Sequence, residues 1–230
     1  MNYHMENACA LIIRGFSHCD KLKDTRGNIL SYTLNDYKDN VKKCLLDPLK
    51  QQFNTIDVYV FSNNKLTNEE KDFFSPVYEH NYDGLDSTQL DKLHNMCTFI
   101  PKIYKYYVIH RFDVLYKYPL SFSELKPTIV SPYRQNKNPS NVQWGLKHPL
   151  WNDVYFEIPS SHMLDFIDIL KEQIRRKPMY HLMLHGVYKI YLERNIPVHF
   201  IHDDGMYNIV SNPFFTFLRT GKLSVMTKVE

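Results

Sequence analysis

The sequence predicts an α/β fold, organised as a single domain with a central, mostly parallel sheet flanked by helices. Short apolar runs alternate along the chain with longer segments in which apolar residues recur at helical spacing, which is the pattern of strand–helix–strand units. The apolar runs are continuous, as expected for strands buried on both faces. With 230 residues, of which 43% are hydrophobic and 23% charged, the chain is long enough for one large domain or two small ones.

The first sixty residues predict one strand–helix–strand unit. Residues 8–13 form a short apolar run that stops at Arg14, which indicates a buried strand opening into a loop. Apolar residues near helical spacing predict a helix over about 34–53, which Pro48 bends or ends late. The β-branched and aromatic run 56–61 then predicts a second strand.

The middle of the chain predicts a further strand at the centre of the sheet. The threonine and two glutamates within 67–70 indicate a helix start, and residues 75–78 predict either a short edge strand or a loop. Leucines at helical spacing predict a helix within 87–103. It leads into the apolar run 106–110, a predicted buried strand that ends at the Arg-Phe-Asp string 111–113.

The second half opens with a long polar segment, 131–152, that contains three prolines and a glycine. A loop of this length inside a compact domain is usually functional, so we expect it to contact a substrate. Ser160 and Ser161 have the pattern of a helix cap. The elements predicted after the loop are a strand, two helices and a final strand, at 154–158, 163–176, 179–194 and 198–201.

Composition excludes several classes of protein. The 28 basic residues exceed the 25 acidic ones by only three, with no basic cluster, so nucleic acid is not the expected partner. The four cysteines lack the spacing of a zinc site and predict a reduced compartment. No stretch approaches the ~20 apolar residues of a membrane span. We therefore expect a soluble, cytoplasmic protein.

Polar residues at the ends of the predicted strands are the first candidates for a binding site, because ligands of open α/β sheets lie outside the carboxyl ends of the strands. Three such ends carry them: Arg14-Gly15, Ser62-Asn63 and Arg111-Phe112-Asp113. On extended backbone the side chains of Arg111 and Asp113 point to the same side. They therefore predict either a metal-binding carboxylate beside a guanidinium on phosphate, or an ordinary ion pair.

Four segments carry a family resemblance: CALIIRGF near the start, IDVYVFS, YYVIHRFDVLY and WNDVYFEIPSSHMLDFIDIL. Together they resemble a group of glycosyltransferases from large DNA viruses and bacterial surface-polysaccharide clusters, over roughly residues 8 to 202. The most distinctive piece is the RFD string. The resemblance implies a GT-A-like (Rossmann-like) nucleotide-sugar transferase, with nucleotide binding in about 1–120 and acceptor binding in about 121–230. It also implies a viral origin, with the host cytoplasm as the location of the protein.

In such enzymes a D-x-D-type motif at a strand end holds Mn²⁺ or Mg²⁺ against the donor diphosphate. The resemblance therefore implies that Asp113 is the metal ligand and that Arg14, Gly15, Ser62 and Arg111 contact the donor. This sequence departs from the motif, because Arg111 occupies the position of the first acid. Either one carboxylate with water ligands holds the metal, or Arg111 itself neutralises the phosphates.

The implied reaction also needs an acceptor site, with a nucleotide sugar as donor and a glycan or glycoprotein as acceptor. Asp153 is either the first candidate for the base that activates the acceptor hydroxyl or a helix or turn cap, and Glu157 is the second candidate base. Trp144 and Trp151, within or beside the polar loop, are candidates for stacking on sugar. His202, in a His-Asp-Asp-Gly string, either completes a metal site or belongs to an ordinary turn.

A dehydrogenase or a methyltransferase would also have an α/β fold. A dehydrogenase or methyltransferase needs a glycine-rich turn after the first strand, but that turn reads Arg-Gly-Phe-Ser-His, without G-x-G-x-x-G. The serious alternative is a noncatalytic carbohydrate-binding or assembly module that kept the fold and lost the chemistry, because Arg111 replaces an acid.

Overall fold

The structure is a computed structural model that describes residues 5–23, 29–81, 88–101, 103–135, 150–151, 154–176, 187–207 and 212–218. It has the predicted α/β fold with a mostly parallel central sheet flanked by helices. The strands are β1 (Met5–Gly15), β2 (Cys19–Lys23), β3 (Ile29–Tyr32), β4 (Thr55–Ser62), β5 (Val77–Asn81), β6 (Tyr104–Arg111), β7 (Val114–Tyr116), β8 (Ile129–Gln135), β9 (Leu150–Trp151), β10 (Phe156–Pro159), β11 (Val198–Tyr207) and β12 (Phe215–Phe217). The helices are α1 (Leu34–Val41), α2 (Asp47–Gln52), α3 (Asn68–Phe73), α4 (Gln89–Phe99), α5 (Ser160–Arg175) and α6 (Val187–Glu193).

Seven strands form the central sheet in the order β11-β8-β10-β6-β1-β4-β5, and β9 pairs with β8. Strands β1, β4 and β5 are parallel, as are β8 and β11, whereas β10 runs antiparallel to β8. Two small antiparallel ribbons, β2-β3 and β7-β12, complete the sheets. The predicted central strand is therefore confirmed as β6, and the predicted edge strand as β5.

The chain divides into two compact units whose segments alternate along the sequence. The first unit comprises Met1–Glu6, Gly84–Val108 and Leu125–Asn212, and the second comprises Asn7–Asp83, Ile109–Glu124 and Pro213–Glu230. The assignment of nucleotide binding to about 1–120 and of acceptor binding to about 121–230 stays a prediction.

In the second unit, the helix predicted over 34–53 forms as α1 and α2 joined by a π-helical turn at Lys42–Leu46. Its buried residues recur every four positions at Tyr37, Val41, Leu45 and Leu49. An α-helix of about 3.6 residues per turn would rotate such a stripe away from the core, and the wider π turn brings it back. The carbonyl of Cys44 inside that turn accepts the Leu120 N–H at 2.9 Å.

In the first unit, α5 packs against α4 and α6 through a buried face that contains Phe166, Ile169 and Leu170. At the surface, Arg176 and Arg194 both donate to Glu172, and Arg194 also binds Asp168 at 2.9 Å. This network joins α6 to the end of α5.

Three local expectations are wrong. The predicted loop 131–152 begins too early, because residues 131–135 belong to β8 and residues 131–133 are buried. The Asp-Asp-Gly turn after His202 is instead part of β11, where the register against β8 shifts between His202 and Met206. Pro159, rather than a serine, precedes the first turn of α5.

Within the described ranges, no helix combines the length and the apolar character needed to cross a bilayer.

Candidate functional site

The carboxyl ends of β1, β4 and β6 lie together in the second unit. Gly15 is in register with Ser62, and its carbonyl accepts the Asn63 N–H at 3.0 Å. The Arg14 carbonyl accepts the Phe112 N–H at 3.2 Å. The three strand ends singled out in the sequence therefore share one edge. Gly15 has φ of 111°, a conformation that favours glycine, and this lets β1 turn sharply into its loop.

Arg111 and Asp113 form a two-pronged ion pair at this edge. Arg111 Nε donates to Asp113 Oδ1 at 2.9 Å and Nη2 donates to Oδ2 at 2.7 Å. The side chains are only 13% and 10% exposed. The guanidinium carbon also lies 5.4 Å from the ring centre of Phe217 in β12. The interpretation of the Arg-x-Asp string as an ion pair thus matches the structure, and because both side chains are largely buried, removing either one would leave a costly unpaired charge.

Strand β12 holds Phe217 against that pair. It pairs antiparallel with β7, and the Leu218 N–H donates to the Asp113 carbonyl at 3.0 Å. The segment that follows Pro213 has no clear hydrophobic period in the sequence, and this pattern therefore did not indicate Phe217 as part of the site. The turn that contains Asp113 is therefore held by a backbone hydrogen bond to Leu218, the residue that follows β12.

His110 is buried beneath the same edge. Its Nδ1 lies 2.7 Å from the Tyr116 hydroxyl, and its buried Nε2 has no hydrogen-bond partner within the described part of the chain. Burial lowers the pKa of His110 to about 3; the carboxylate of Asp113 opposes this effect, and the charges of Arg111 and Arg14 add to it. His110 is therefore neutral at physiological pH, and the positive charge at this edge comes from arginine.

The ribbon β2-β3 contributes Tyr32. Burial raises the pKa of its hydroxyl well above the ordinary value, and the nearby charge of Asp113 raises it further. The neutral hydroxyl donates to the carbonyl of Phe16 at 2.7 Å. Tyr32 thus stabilises the loop that follows β1, which begins directly after the Arg14-Gly15 strand end.

A polar cluster of Ser17, His18, Ser62, Asn64 and Glu70, here called the strand-end cluster, connects the ends of β1 and β4. The Asn64 amide oxygen accepts the Ser17 N–H at 3.0 Å and the Ser62 hydroxyl at 2.8 Å, and its Nδ2 donates to the His18 carbonyl at 3.1 Å. The His18 Nδ1 lies 3.2 Å from Glu70. These bonds fix the loop after β1 against the loop after β4.

Glu70 differs from the other capping carboxylates in the chain. The backbone N–H groups of Thr33, Thr67 and Thr88 donate to Asp36, Glu70 and Asp91, respectively, at helix starts. Asp36 and Asp91 bind only within their own turns in the contacts described, whereas Glu70 is 1% exposed and also reaches Ser17 and His18. The capping pattern after Thr67 indicated the helix start in the sequence, but not this second role.

Glu157, the second candidate base, lies in the first unit. It is 6% exposed, and its two oxygens accept the hydroxyls of Tyr106 at 3.0 Å and Tyr155 at 2.8 Å. Burial raises its pKa to about 7, and the two hydroxyls partly oppose that effect. Such a pKa suits proton transfer at neutral pH, but the residue sits in a closed, fully hydrogen-bonded pocket. Its catalytic role stays a prediction.

The remaining candidates are only partly described. Asp153 and Trp144 lie outside the described residues, as does the side chain of Trp151, whose backbone belongs to β9. His202 lies in β11 of the first unit and is partly exposed. Their proposed roles in catalysis, acceptor binding and metal binding stay predictions.

The Arg111–Asp113 geometry does not fit a divalent cation at Asp113. Both carboxylate oxygens accept from a guanidinium, so a cation on them would lie next to a fixed positive charge. Within the described part of the chain, no three His, Cys, Asp or Glu side chains are grouped as metal ligands would be.

A cavity of about 350 Å³ in the second unit lies away from the strand-end residues. Its walls include Leu46, Phe53, Ile56 and Phe74, and Ile56 belongs to the first half of β4. The carboxyl ends of β1, β4 and β6 do not line it.

No protein-family model matches the chain, and no curated protein sequence matches it either. Any functional conclusion therefore rests on the geometry above and on the resemblance of the four sequence segments.

Proposed function

We propose that the protein is a nucleotide-sugar-dependent glycosyltransferase whose donor diphosphate binds at the edge formed by β1, β4 and β6. The observation that carries this proposal is the meeting of two arginine-bearing strand ends, through the Phe112 N–H on the Arg14 carbonyl. Arg14 and Arg111 stand at the carboxyl ends of the neighbouring strands β1 and β6, and both charges act on the buried His110. That is the position and the charge that a diphosphate requires.

The reaction gives these cations a role. The bond between the anomeric carbon and the diphosphate oxygen breaks, a bond to the acceptor oxygen forms, and the acceptor proton passes to a base. Negative charge grows on the leaving nucleoside diphosphate, so fixed guanidinium groups stabilise the transition state more than the ground state. Asp153 remains our candidate for the base, with Glu157 second and Trp144 and Trp151 as sugar-stacking candidates.

A noncatalytic carbohydrate-binding or assembly module is the second candidate. The observation in its favour is that Asp113, the counterpart of the catalytic motif's carboxylate, is bound on both oxygens by Arg111. Such a module would bind glycan without binding a nucleotide.

A screen of UDP-, GDP- and CMP-sugars, each with and without Mn²⁺, tests the proposal through release of the nucleoside diphosphate, or of CMP. We expect turnover with one donor class and loss of it in Arg111→Ala. Arg175→Ala, which removes an exposed arginine from the last turn of α5, is the matched control and should retain activity. Glycan binding without binding or turnover of any nucleotide sugar would favour the noncatalytic module instead.

A further inference from the structure

We infer that the cavity of about 350 Å³ in the second unit binds a small aromatic acid, a molecule that consists of an aromatic ring system and one carboxylate. The residues that line this cavity all belong to the second unit. Ile56 in its wall and Ser62 at the strand end are six residues apart on β4, which is about 20 Å of extended chain. The site is therefore separate from the proposed donor edge and does not depend on the proposed function.

The inner wall of the cavity is apolar and is held by regular backbone structure. Four of its residues are at most 5% exposed: Leu46, Phe53, Val58 and Phe74. Leu46 is the last residue of the π-helical turn, and such turns are frequent at functional sites. The Phe53 N–H donates to the Leu49 carbonyl at 2.8 Å, which holds this residue at the end of α2. Because helix ends and a central strand supply the wall, the cavity is already formed before a ligand enters.

Three phenylalanines in the wall favour an aromatic ligand. Phe53, Phe73 and Phe74 all line the cavity. The rings of Phe73 and Phe74 already pack edge to face, with their centres 4.7 Å apart and their planes at 77°. A further ring can pack against such rings with the same edge-to-face or offset geometry. It would also remove the apolar wall from water, which favours binding.

The rim of the cavity favours a carboxylate on that ligand. Lys50, Asn54 and Ser75 line the cavity and are exposed. Within the part of the chain that the structure describes, no carboxylate forms an ion pair with Lys50. Its ammonium is therefore a cation at the edge of an apolar cavity, with an amide and a hydroxyl beside it. Charge complementarity then selects an anion whose apolar part fits the inner wall.

Titration of the full chain with phenylacetate and indole-3-acetate, each compared with its neutral primary amide, tests the site. The readout is the NMR signals of ¹³C-labelled methyl groups, and we expect saturable shifts at Leu46, Ile56 and Val58. At least one acid should bind about threefold more tightly than its amide, as an ion pair at an exposed lysine allows. Lys50→Gln should remove this difference. Lys43→Gln, at an exposed lysine of the π-helical turn that does not line the cavity, is the matched control and should retain it.

Three results on the unmodified chain would overturn the proposal, so it stays testable even where a variant fails to fold. They are the absence of saturable shifts with every probe, shifts confined to methyl groups outside the cavity, and equal affinity for each acid and its amide. Ile56→Trp fills the cavity and should abolish binding, with thermal melting as the check on folding; unchanged binding in the folded variant would also refute the site. None of these measurements involves a nucleotide sugar, so they leave the proposed transferase to its own test.

Discussion

The buried carboxyl of Glu157 gives the sharpest quantitative prediction for this protein. Its pKa lies at about 7 in the folded chain against an ordinary value of 4.5. Because the folded state binds this proton more tightly than the unfolded chain does, its contribution to stability is complete below pH 4.5 and is lost as the pH rises to about 7. At 1.36 kcal/mol for each pH unit of separation, the loss is about 3 kcal/mol.

Glu157→Gln removes the titrating group and keeps its hydrogen bonds, since an amide can accept from Tyr155 and donate to the hydroxyl oxygen of Tyr106. We expect urea unfolding of the variant to lose this decline between pH 4.5 and 7, so that its stability relative to the wild type is greater at pH 8 than at pH 4. Glu124→Gln, at an exposed position, is the matched control and should follow the wild-type curve.

Tyr155→Phe provides an independent check. Its hydroxyl lowers the pKa of Glu157, so its removal should move the decline in stability to higher pH. A Glu157→Gln variant with the same pH dependence as the wild type would refute the reasoning. Donor turnover by Glu157→Gln tests whether Glu157 is the catalytic base. A catalytic base would be lost with the carboxylate, whereas loss of a purely structural residue would leave turnover intact.

Three further predictions concern stability measured by urea unfolding. Glu70→Asp shortens the side chain and withdraws its carboxylate from His18, which should cost about 1–2 kcal/mol of unfolding free energy. Glu69→Asp, at the exposed neighbouring position, should change stability by less than about 0.5 kcal/mol. Equal costs would contradict a structural role for the strand-end cluster. Phe217→Leu, compared with Phe217→Tyr, should lose about 0.5–1 kcal/mol with the aromatic face on the guanidinium, and equal stabilities would contradict that contact. Glu172→Gln should cost less than about 1 kcal/mol, and the difference should vanish near 1 M salt; a persistent cost would show that the network does more than pair exposed charges.

The sequence predicted the strands at 8–13, 56–61 and 106–110 because each is a short run made mostly of apolar, β-branched and aromatic residues, which is typical of a buried strand. Their partners could not be predicted in the same way. Strand β10 runs antiparallel to β8 and lies between it and β6, an arrangement decided by packing rather than by local pattern. The prolines within 131–152 favoured a loop, yet Pro132 lies inside β8.

The candidate site was predicted in its location but not in its contacts. Rules for parallel sheets place Gly15, Ser62 and Arg111 at one edge, and the structure has them there. Glu70 and Phe217 were missed because each reaches its partner over a long sequence separation, 52 residues between His18 and Glu70. No periodic signal encodes such a contact.

The spacing of Arg111 and Asp113 determines that the two side chains share a side, but not whether they face a ligand or each other. Desolvation decides this. At 13% and 10% exposure, either charge alone would be costly, so the two groups pair in the folded chain. The same string in an open, hydrated turn would leave the carboxylate able to bind a cation. The contacts of Phe217 and Leu218, far along the sequence, therefore favour the Arg111–Asp113 ion pair over an open carboxylate.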